Sequence, residues 1–165
     1  MGRANYLVEG LSGTGKTSVC DELRRRGFQA IHGDRELAYP GDPRTGEPFG
    51  TSGRDDHIWD VAKVRALVAD QHEAITFFCG GSRNFPGFLD AFDAVFVLEV
   101  DLPTLHRRLD ARPDEEWRDG KPTDRALITR WHQTKESVPA GVPIDATAPV
   151  ERVVDEILRR CGAAR

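Results

Sequence analysis

The segment Gly10–Thr17 constrains this chain most, because it has the sequence GLSGTGKT and matches the pattern G-x-x-x-x-G-K-[ST] in full. Its glycines let the backbone curl so that several N–H groups can face one anion, and the following helix adds its positive N-terminal end. An apolar run precedes the segment and a helical pattern follows it, as in phosphate loops. We therefore predict a site for a nucleoside triphosphate, with candidate contacts at Gly10, Ser12, Gly13, Thr14, Gly15, Lys16, Thr17 and Ser18.

Two side chains of this loop have specific predicted roles. Lys16 can reach the β- and γ-phosphates, which makes it a candidate catalytic residue. The hydroxyl of Thr17 can ligate Mg²⁺, a hard cation that prefers oxygen ligands. ATP and Mg²⁺ are therefore the predicted cofactors.

Short apolar runs alternate with helical patterns along the rest of the chain. Runs this apolar are typical of a parallel sheet covered on both faces, and the alternation predicts an α/β fold. We expect one three-layer domain over residues 1–165, with a five-stranded parallel sheet and helices on both faces. The predicted strands are 6–8, 28–31, 75–79, 94–100 and 142–144, and the predicted helices are 16–26, 56–73, one opening at 101, 123–137 and 149–160.

The composition is that of an ordinary soluble domain, with 39% hydrophobic and 30% charged residues in a chain of 165. A formal net charge of -4 does not mark a nucleic-acid binder, so no nucleic-acid partner is expected. No apolar run approaches the ~20 residues that a membrane span needs, and the three scattered cysteines form no zinc or disulfide pattern. We expect a cytoplasmic protein, either a monomer or a homodimer.

Several classes of phosphate-loop protein are excluded by what the sequence lacks. A small GTPase would carry N-K-x-D and D-x-x-G motifs, and neither occurs. A transporter-type ATPase needs a signature helix, and an oligomeric motor ATPase needs an additional helical lid for which the chain is too short. A small-molecule or nucleotide kinase needs only a phosphate loop, an acceptor site and a mobile lid, so this class remains.

Charged side chains after the predicted strands are the candidates for an acceptor site. Asp34 follows the second strand and Arg83 follows the glycine pair 80–81 after the third, where open α/β sheets bind ligands. A turn aspartate and a surface ion pair are the structural alternatives. Arg108 and Arg112 are four residues apart and share a helix face, from which they can meet phosphates, unless they are an ordinary basic helix end.

With these motifs the chain resembles the adenylate kinase and shikimate kinase group of P-loop kinases over nearly its whole length. Asp34 stands where this group often has an acid that contacts the acceptor hydroxyl. The segment 79–83, CGGSR, is similar to a glycine-rich segment of shikimate kinases and to the D-G-x-x-R of nucleoside monophosphate kinases. The segment 105–112, LHRRLDAR, resembles the helix that enters the lid, and 144–147, IDAT, resembles the segment beside adenine.

This resemblance implies a P-loop kinase fold with a short lid at about 112–123 and an acceptor-side loop at about 34–60. It implies four catalytic residues, which are Lys16, Asp34, Arg108 and Arg112. Arg108 and Ala146 would also contact the nucleotide, and the acceptor would be bound by Asp34, Arg35, Gly80, Gly81 and Arg83. Cys79 departs from the pattern, because many relatives have an acid there that holds Mg²⁺ through water; Thr17 is then the one predicted protein ligand of the metal.

The sequence as a whole predicts an ATP-dependent phosphotransferase that moves the γ-phosphoryl group to a hydroxyl or phosphate of a small molecule. Arg83 and the pair Glu9-Gly10, which resembles the start of deoxynucleoside and thymidylate kinases, favour a nucleoside or nucleotide acceptor. A shikimate-, gluconate- or antibiotic-type kinase is the alternative. Two other classes stay open: a non-catalytic nucleotide-binding regulator, which Cys79 supports, and an end kinase of nucleic acids, which the acidic balance disfavours.

Overall fold

A five-stranded parallel sheet forms the centre of the protein. The computed structural model describes residues 2–50, 57–117 and 120–163. The strands are β1 (Gly2–Gly10), β2 (Gln29–His32), β5 (Glu73–Cys79), β6 (Ala94–Glu99) and β7 (Val142–Asp145), in the spatial order β2-β5-β1-β6-β7. All four pairings are parallel, which confirms the predicted sheet.

Helices connect the strands. They are α1 (Lys16–Arg25), α2 (Gly33–Glu36), α3 (Val61–Ala69), α4 (Leu102–Asp110), α5 (Lys121–Thr134) and α6 (Val150–Arg160). Short 3₁₀ turns at Phe85–Gly87, Leu89–Ala91 and Asp114–Glu116 complete the connections.

Two apolar cores lie on opposite faces of the sheet because successive strand residues point to opposite sides. One core contains Val8 and Phe77 with buried residues of α1, α4, α5 and α6. The other contains Leu7 and Phe78 with Trp59 and residues of α3. The three-layer arrangement predicted from the apolar strand runs is therefore confirmed.

The predicted helix 56–73 is wrong at both ends. Residues His57–Trp59 form a strand, β4, which pairs antiparallel with β3 (Ala38–Pro40). The helix begins only after Asp60, whose carboxylate caps it by accepting a 3.0 Å hydrogen bond from the N–H of Lys63. The predicted acceptor-side loop at about 34–60 accordingly contains this hairpin, and its residues 51–56 lie outside the described ranges.

The site is positioned by the carboxyl ends of the central strands. Val8 is the register partner of Cys79, and Gly10 is the partner of Leu98, so β1 ends between β5 and β6. After β1, the chain forms β2 and β5 on one side of β1 and then β6 and β7 on the other side. Open α/β sheets bind ligands at such a reversal of strand order.

Candidate functional site

The phosphate loop turns sharply from β1 into α1. Gly15 caps the helix with φ of 100°, a left-handed conformation that glycine adopts without strain. Among the described residues, no side chain caps this helix start, so its first N–H groups are available to an anion. The Lys16 ammonium folds back and donates to the carbonyl of Gly10. The loop therefore combines a helix N-terminus with a flexible cation, which fits a triphosphate.

Two predicted arginines reach this loop from α4 and the segment after it. Arg112 donates from Nη2 to the Ser12 hydroxyl at 2.6 Å. Arg108 donates to the carbonyl of Thr14 at 3.2 Å and to that of Ala146 at 2.8 Å. Arg112 thus lies at the mouth of the loop, whereas Arg108 bridges the loop to the segment after β7.

A groove of about 250 Å³ lies beside Arg108. The predicted nucleotide contacts Thr14, Gly15, Ser18 and Ala146 line it together with Val150 and other apolar residues. Its apolar wall and its place next to the phosphate loop fit the base and sugar of a nucleotide.

A cavity of about 110 Å³ lies on the other side of the phosphate loop. The structure brings several predicted residues together there, namely Gly10, Ser12, Lys16, Asp34, Gly81 and Arg83. Glu9, His57 and Trp131 line the same cavity and are additional to the predicted site residues. Donor-side and acceptor-side candidates therefore share one space around Lys16.

Asp34 is held through one of its carboxylate oxygens. Oδ1 accepts hydrogen bonds from Nε2 of His57 at 2.9 Å, from Nε1 of Trp59 at 3.2 Å and from the N–H of Gly81 at 3.1 Å. Burial raises the pKa of Asp34, but the hydrogen bond from His57 and the charge of Lys16 outweigh it, so the pKa is lowered overall. Asp34 is therefore an ionised hydrogen-bond acceptor at neutral pH rather than a strong base.

Gly80 and Gly81 allow this close packing. A Cβ atom at Gly80, which has φ of 152°, would lie 2.7 Å from Oδ1 of Asp34. One at Gly81 would lie 2.7 Å from Oε1 of Glu9. Gly80 thus packs against Asp34 and does not line the cavity.

Glu9 is a buried acid that the site prediction missed. It is 2% exposed, and its Oε1 accepts a 2.9 Å hydrogen bond from the N–H of Gly10. Burial raises the pKa of Glu9 to about 8, although the Lys16 ammonium and the Gly10 N–H act in the opposite direction. The sequence signals are its place in the pair Glu9-Gly10 and its position directly between an apolar run and the phosphate loop.

Arg83 stacks on Trp131, with the guanidinium carbon 4.9 Å from the ring centroid. The indole Nε1 of Trp131 is buried and has no hydrogen-bond partner among the described residues. Trp131 was missed because its helical spacing with Ile128 indicates a core residue, which it also is at 5% exposure. The neighbouring Arg130 points away and pairs with Glu136 at 3.4 Å.

Like Gly80, Arg35 is a predicted acceptor-binding residue that does not line this cavity. It is exposed on α2 and lines a separate surface groove with Arg24 and Lys63. Its direction follows from the one-turn helix α2, which places successive side chains on different faces.

The end of β5 does not supply a carboxylate for a metal. Cys79 is 3% exposed, and its hydrogen bond with Cys20, together with burial, raises the pKa of its thiol well above the usual range. Within the described ranges, no cluster of three or more histidine, cysteine, aspartate or glutamate side chains could hold a metal ion. The exposed Thr17 hydroxyl at the start of α1 fits Mg²⁺ that is held jointly with a triphosphate.

The fold and the loop geometry define a P-loop domain, with a groove and a cavity on the two sides of the phosphate loop. The chain belongs to the AAA domain family, whose model matches residues 7–128. Among curated proteins, no sequence match is found. In the described part of the chain, no helix has the length and apolar character required to cross a membrane.

Solved structures share this fold. A gluconokinase from Sinorhizobium meliloti has a TM-score of 0.59 and 21% identity over 94% of this chain and 90% of that one. A shikimate kinase from Acinetobacter baumannii, in complex with shikimate, has a TM-score of 0.58 and 17% identity over 97% and 93%. A deoxyadenosine kinase from M. mycoides with bound dATP has a TM-score of 0.51 and 14% identity over 97% and 100%. The predicted resemblance to P-loop kinases is thus confirmed for the fold.

Proposed function

We propose that the protein is an ATP-dependent small-molecule kinase. The observation that carries this proposal is the shared cavity in which Lys16 of the phosphate loop faces Asp34 and Arg83. A protein that only bound nucleotide would not require an ionised carboxylate and an arginine opposite the phosphate loop. The kinases among the similar structures support the same class.

Each residue has a role in the proposed transfer. The loop N–H groups and Lys16 hold the triphosphate, and Mg²⁺ bound at Thr17 would neutralise charge on its oxygens. Asp34 accepts a hydrogen bond from the acceptor hydroxyl through Oδ2, because Oδ1 is occupied by three protein donors. The acceptor oxygen bonds to the γ-phosphorus as the β–γ bridging bond breaks, and the hydroxyl proton passes to Asp34. Since this transition state is loose, positioning contributes more than deprotonation.

The acceptor would be a compact hydroxyl compound that Arg83 binds through an anionic or carbonyl group. The similar structures are named for gluconate, shikimate and deoxyadenosine, so the chemistry of the acceptor spans sugar acids and nucleosides. The preference for a nucleoside or nucleotide stays a prediction, as do the lid at 112–123, a cytoplasmic location and the monomeric or dimeric state.

The test is a panel of sugar acids, nucleosides, nucleotides, aminoglycosides and 5′-hydroxyl oligonucleotides incubated with γ-labelled ATP. We expect transfer to one chemical class, with a loss of roughly 100-fold or more in kcat for Lys16→Ala and Asp34→Asn. Asp110→Asn is the matched control, because Asp110 is an exposed acid paired with Arg125. Transfer at an unchanged rate in both site variants would overturn the proposal, and transfer to the oligonucleotides would identify an end kinase.

A further inference from the structure

His57 connects two parts of the acceptor side through different atoms. Its imidazole Nε2 lies 2.9 Å from Oδ1 of Asp34, and its backbone carbonyl accepts a 2.9 Å hydrogen bond from the N–H of Arg83. Its own backbone belongs to β4, where it is the register partner of Pro40. The side chain is only 15% exposed, so it has little freedom to adopt another rotamer.

The imidazole provides the shortest of the three hydrogen bonds to Asp34. The bonds from Trp59 and Gly81 are 3.2 Å and 3.1 Å long, and both end on the same oxygen. Asp34 itself lies on the four-residue helix α2, and its side chain remains 40% exposed. A carboxylate on so short an element needs side-chain partners to keep one oxygen directed at the cavity.

Through its carbonyl, the same residue sets the start of the segment that carries Arg83. The guanidinium of Arg83 is in turn fixed over Trp131. A single residue of the β3–β4 hairpin, His57, therefore contacts both Asp34, the carboxylate proposed to orient the hydroxyl, and Arg83, the arginine proposed to bind the acceptor.

We propose that His57 is a positioning residue that fixes the Asp34 carboxylate relative to Arg83 for phosphoryl transfer. This inference rests on the proposed kinase function. His57 need not touch the acceptor, because its effect is exerted through Asp34.

The pKa of Asp34 provides a readout, because replacing a purely structural residue would leave this pKa unchanged. Among the described residues, the titratable and charged groups that interact with Asp34 or line its cavity include Glu9 from β1, Lys16 from α1, His57 from β4, Cys79 from β5 and Arg83 after β5. Of these, His57 and Lys16 lower the pKa of Asp34. Replacing His57 by a residue without a donor should therefore raise that pKa, whereas a neutral donor should keep it low.

The experiment compares His57→Phe, His57→Asn and His57→Gln in the whole protein. The amide nitrogen of glutamine can take the place of Nε2, whereas asparagine is too short and phenylalanine has no donor. Titration of ¹³C-labelled aspartate by NMR should show a higher pKa of Asp34 in His57→Phe and His57→Asn, and recovery in His57→Gln. The asparagine variant keeps the test decisive if the phenylalanine variant does not fold.

The kinetic readout uses the acceptor identified by the panel. We expect kcat to fall about 10-fold or more in the two variants without the donor, with the KM for ATP unchanged and kcat recovered in His57→Gln. His72→Phe is the matched control, because His72 forms a His–Asp contact with Asp70 on the surface.

The two readouts separate the inference from the function on which it rests. An unchanged pKa of Asp34 in all three variants overturns the role of His57, whatever the kinetics. If the expected pKa shifts occur but the wild-type protein transfers phosphate to nothing in the panel, the proposed function fails and the catalytic part of the inference is overturned with it.

Discussion

Arg112 and Ser12 are joined by a hydrogen bond of 2.6 Å from the guanidinium to the hydroxyl, which connects the segment after α4 to the phosphate loop. The same guanidinium stacks on Trp117 at 4.9 Å, and only 13% of the Arg112 side chain is exposed. A cation is thus held against the phosphate loop, and under the proposed function it would meet the charge that develops on the transferred phosphoryl group.

Replacing Arg112 by alanine should reduce kcat by roughly 100-fold while changing the affinity for ATP much less, since the cation acts mainly on transition-state charge. Steady-state kinetics with the identified acceptor measure this. Arg125→Ala is the control, because Arg125 forms a surface pair with Asp110. A rise in the KM for ATP with an unchanged kcat would show that Arg112 is only a ground-state contact.

Arg108→Ala should mainly reduce the affinity for ATP, whereas Arg112→Ala should mainly reduce kcat. Arg108 bridges the carbonyls of Thr14 and Ala146 beside the groove assigned to the base. Its loss should weaken ATP binding about 10-fold, or about 1.4 kcal/mol, with a smaller effect on kcat. Isothermal titration calorimetry with ATP measures the affinity, and an unchanged dissociation constant would contradict this placement.

Gly80→Ala should reduce phosphoryl transfer to the acceptor and leave ATP binding largely unchanged. The added methyl group would meet the Trp59 ring at 2.6 Å and Oδ1 of Asp34 at 2.7 Å. We expect transfer to fall by about 10-fold or more while ATP binding persists, because a small shift of a positioned group is costly. At Gly50 an added Cβ has no neighbour within 4 Å among the described residues, so Gly50→Ala is the control. Equal loss of ATP binding would indicate general misfolding instead.

Glu9→Gln should alter the pH dependence of stability. The folded-state pKa of about 8 lies above the ordinary value of 4.5, so the unfolded chain releases a proton that the folded chain retains. The free energy of unfolding therefore falls between pH 4.5 and about 8, on the order of 1 kcal/mol per pH unit from this group, and levels off above.

Urea unfolding at several pH values should show this slope in the wild type and a flatter profile in Glu9→Gln. Glu99→Gln is the control, because Glu99 is exposed and pairs with Lys135. A slope that is the same in all three proteins would mean that Glu9 is ionised in the fold.

Much of the fold followed from sequence because the phosphate loop and the apolar strands are local signals. The prediction of a helix over residues 56–73 was wrong where the local sequence pattern and the tertiary contacts favour different structures. Ile58 fits the helical spacing of Val61 and Val64, but it is buried in the β3–β4 hairpin. Asp60, two residues after Ile58, then caps the helix that begins at Val61.

The residues of the candidate site also differ in whether local sequence signals or only tertiary contacts reveal them. Lys16, Asp34 and Arg83 follow strands, so topology alone places them at one sheet edge. His57 and Trp131 reach the cavity from the hairpin and from α5, and only tertiary packing reveals their neighbours. Arg35 shows the converse limit, because it adjoins Asp34 in sequence but points into another groove.

The two cores on opposite faces of the sheet have a consequence for how such a protein changes over evolution. The helix that follows the phosphate loop packs into one core, whereas Trp59 of the hairpin packs into the other. Substitutions that remodel the hairpin need not disturb the packing that holds α1 and α4. Under the proposed function, the hairpin part of the acceptor side can therefore change while the packing that holds the phosphate loop stays the same.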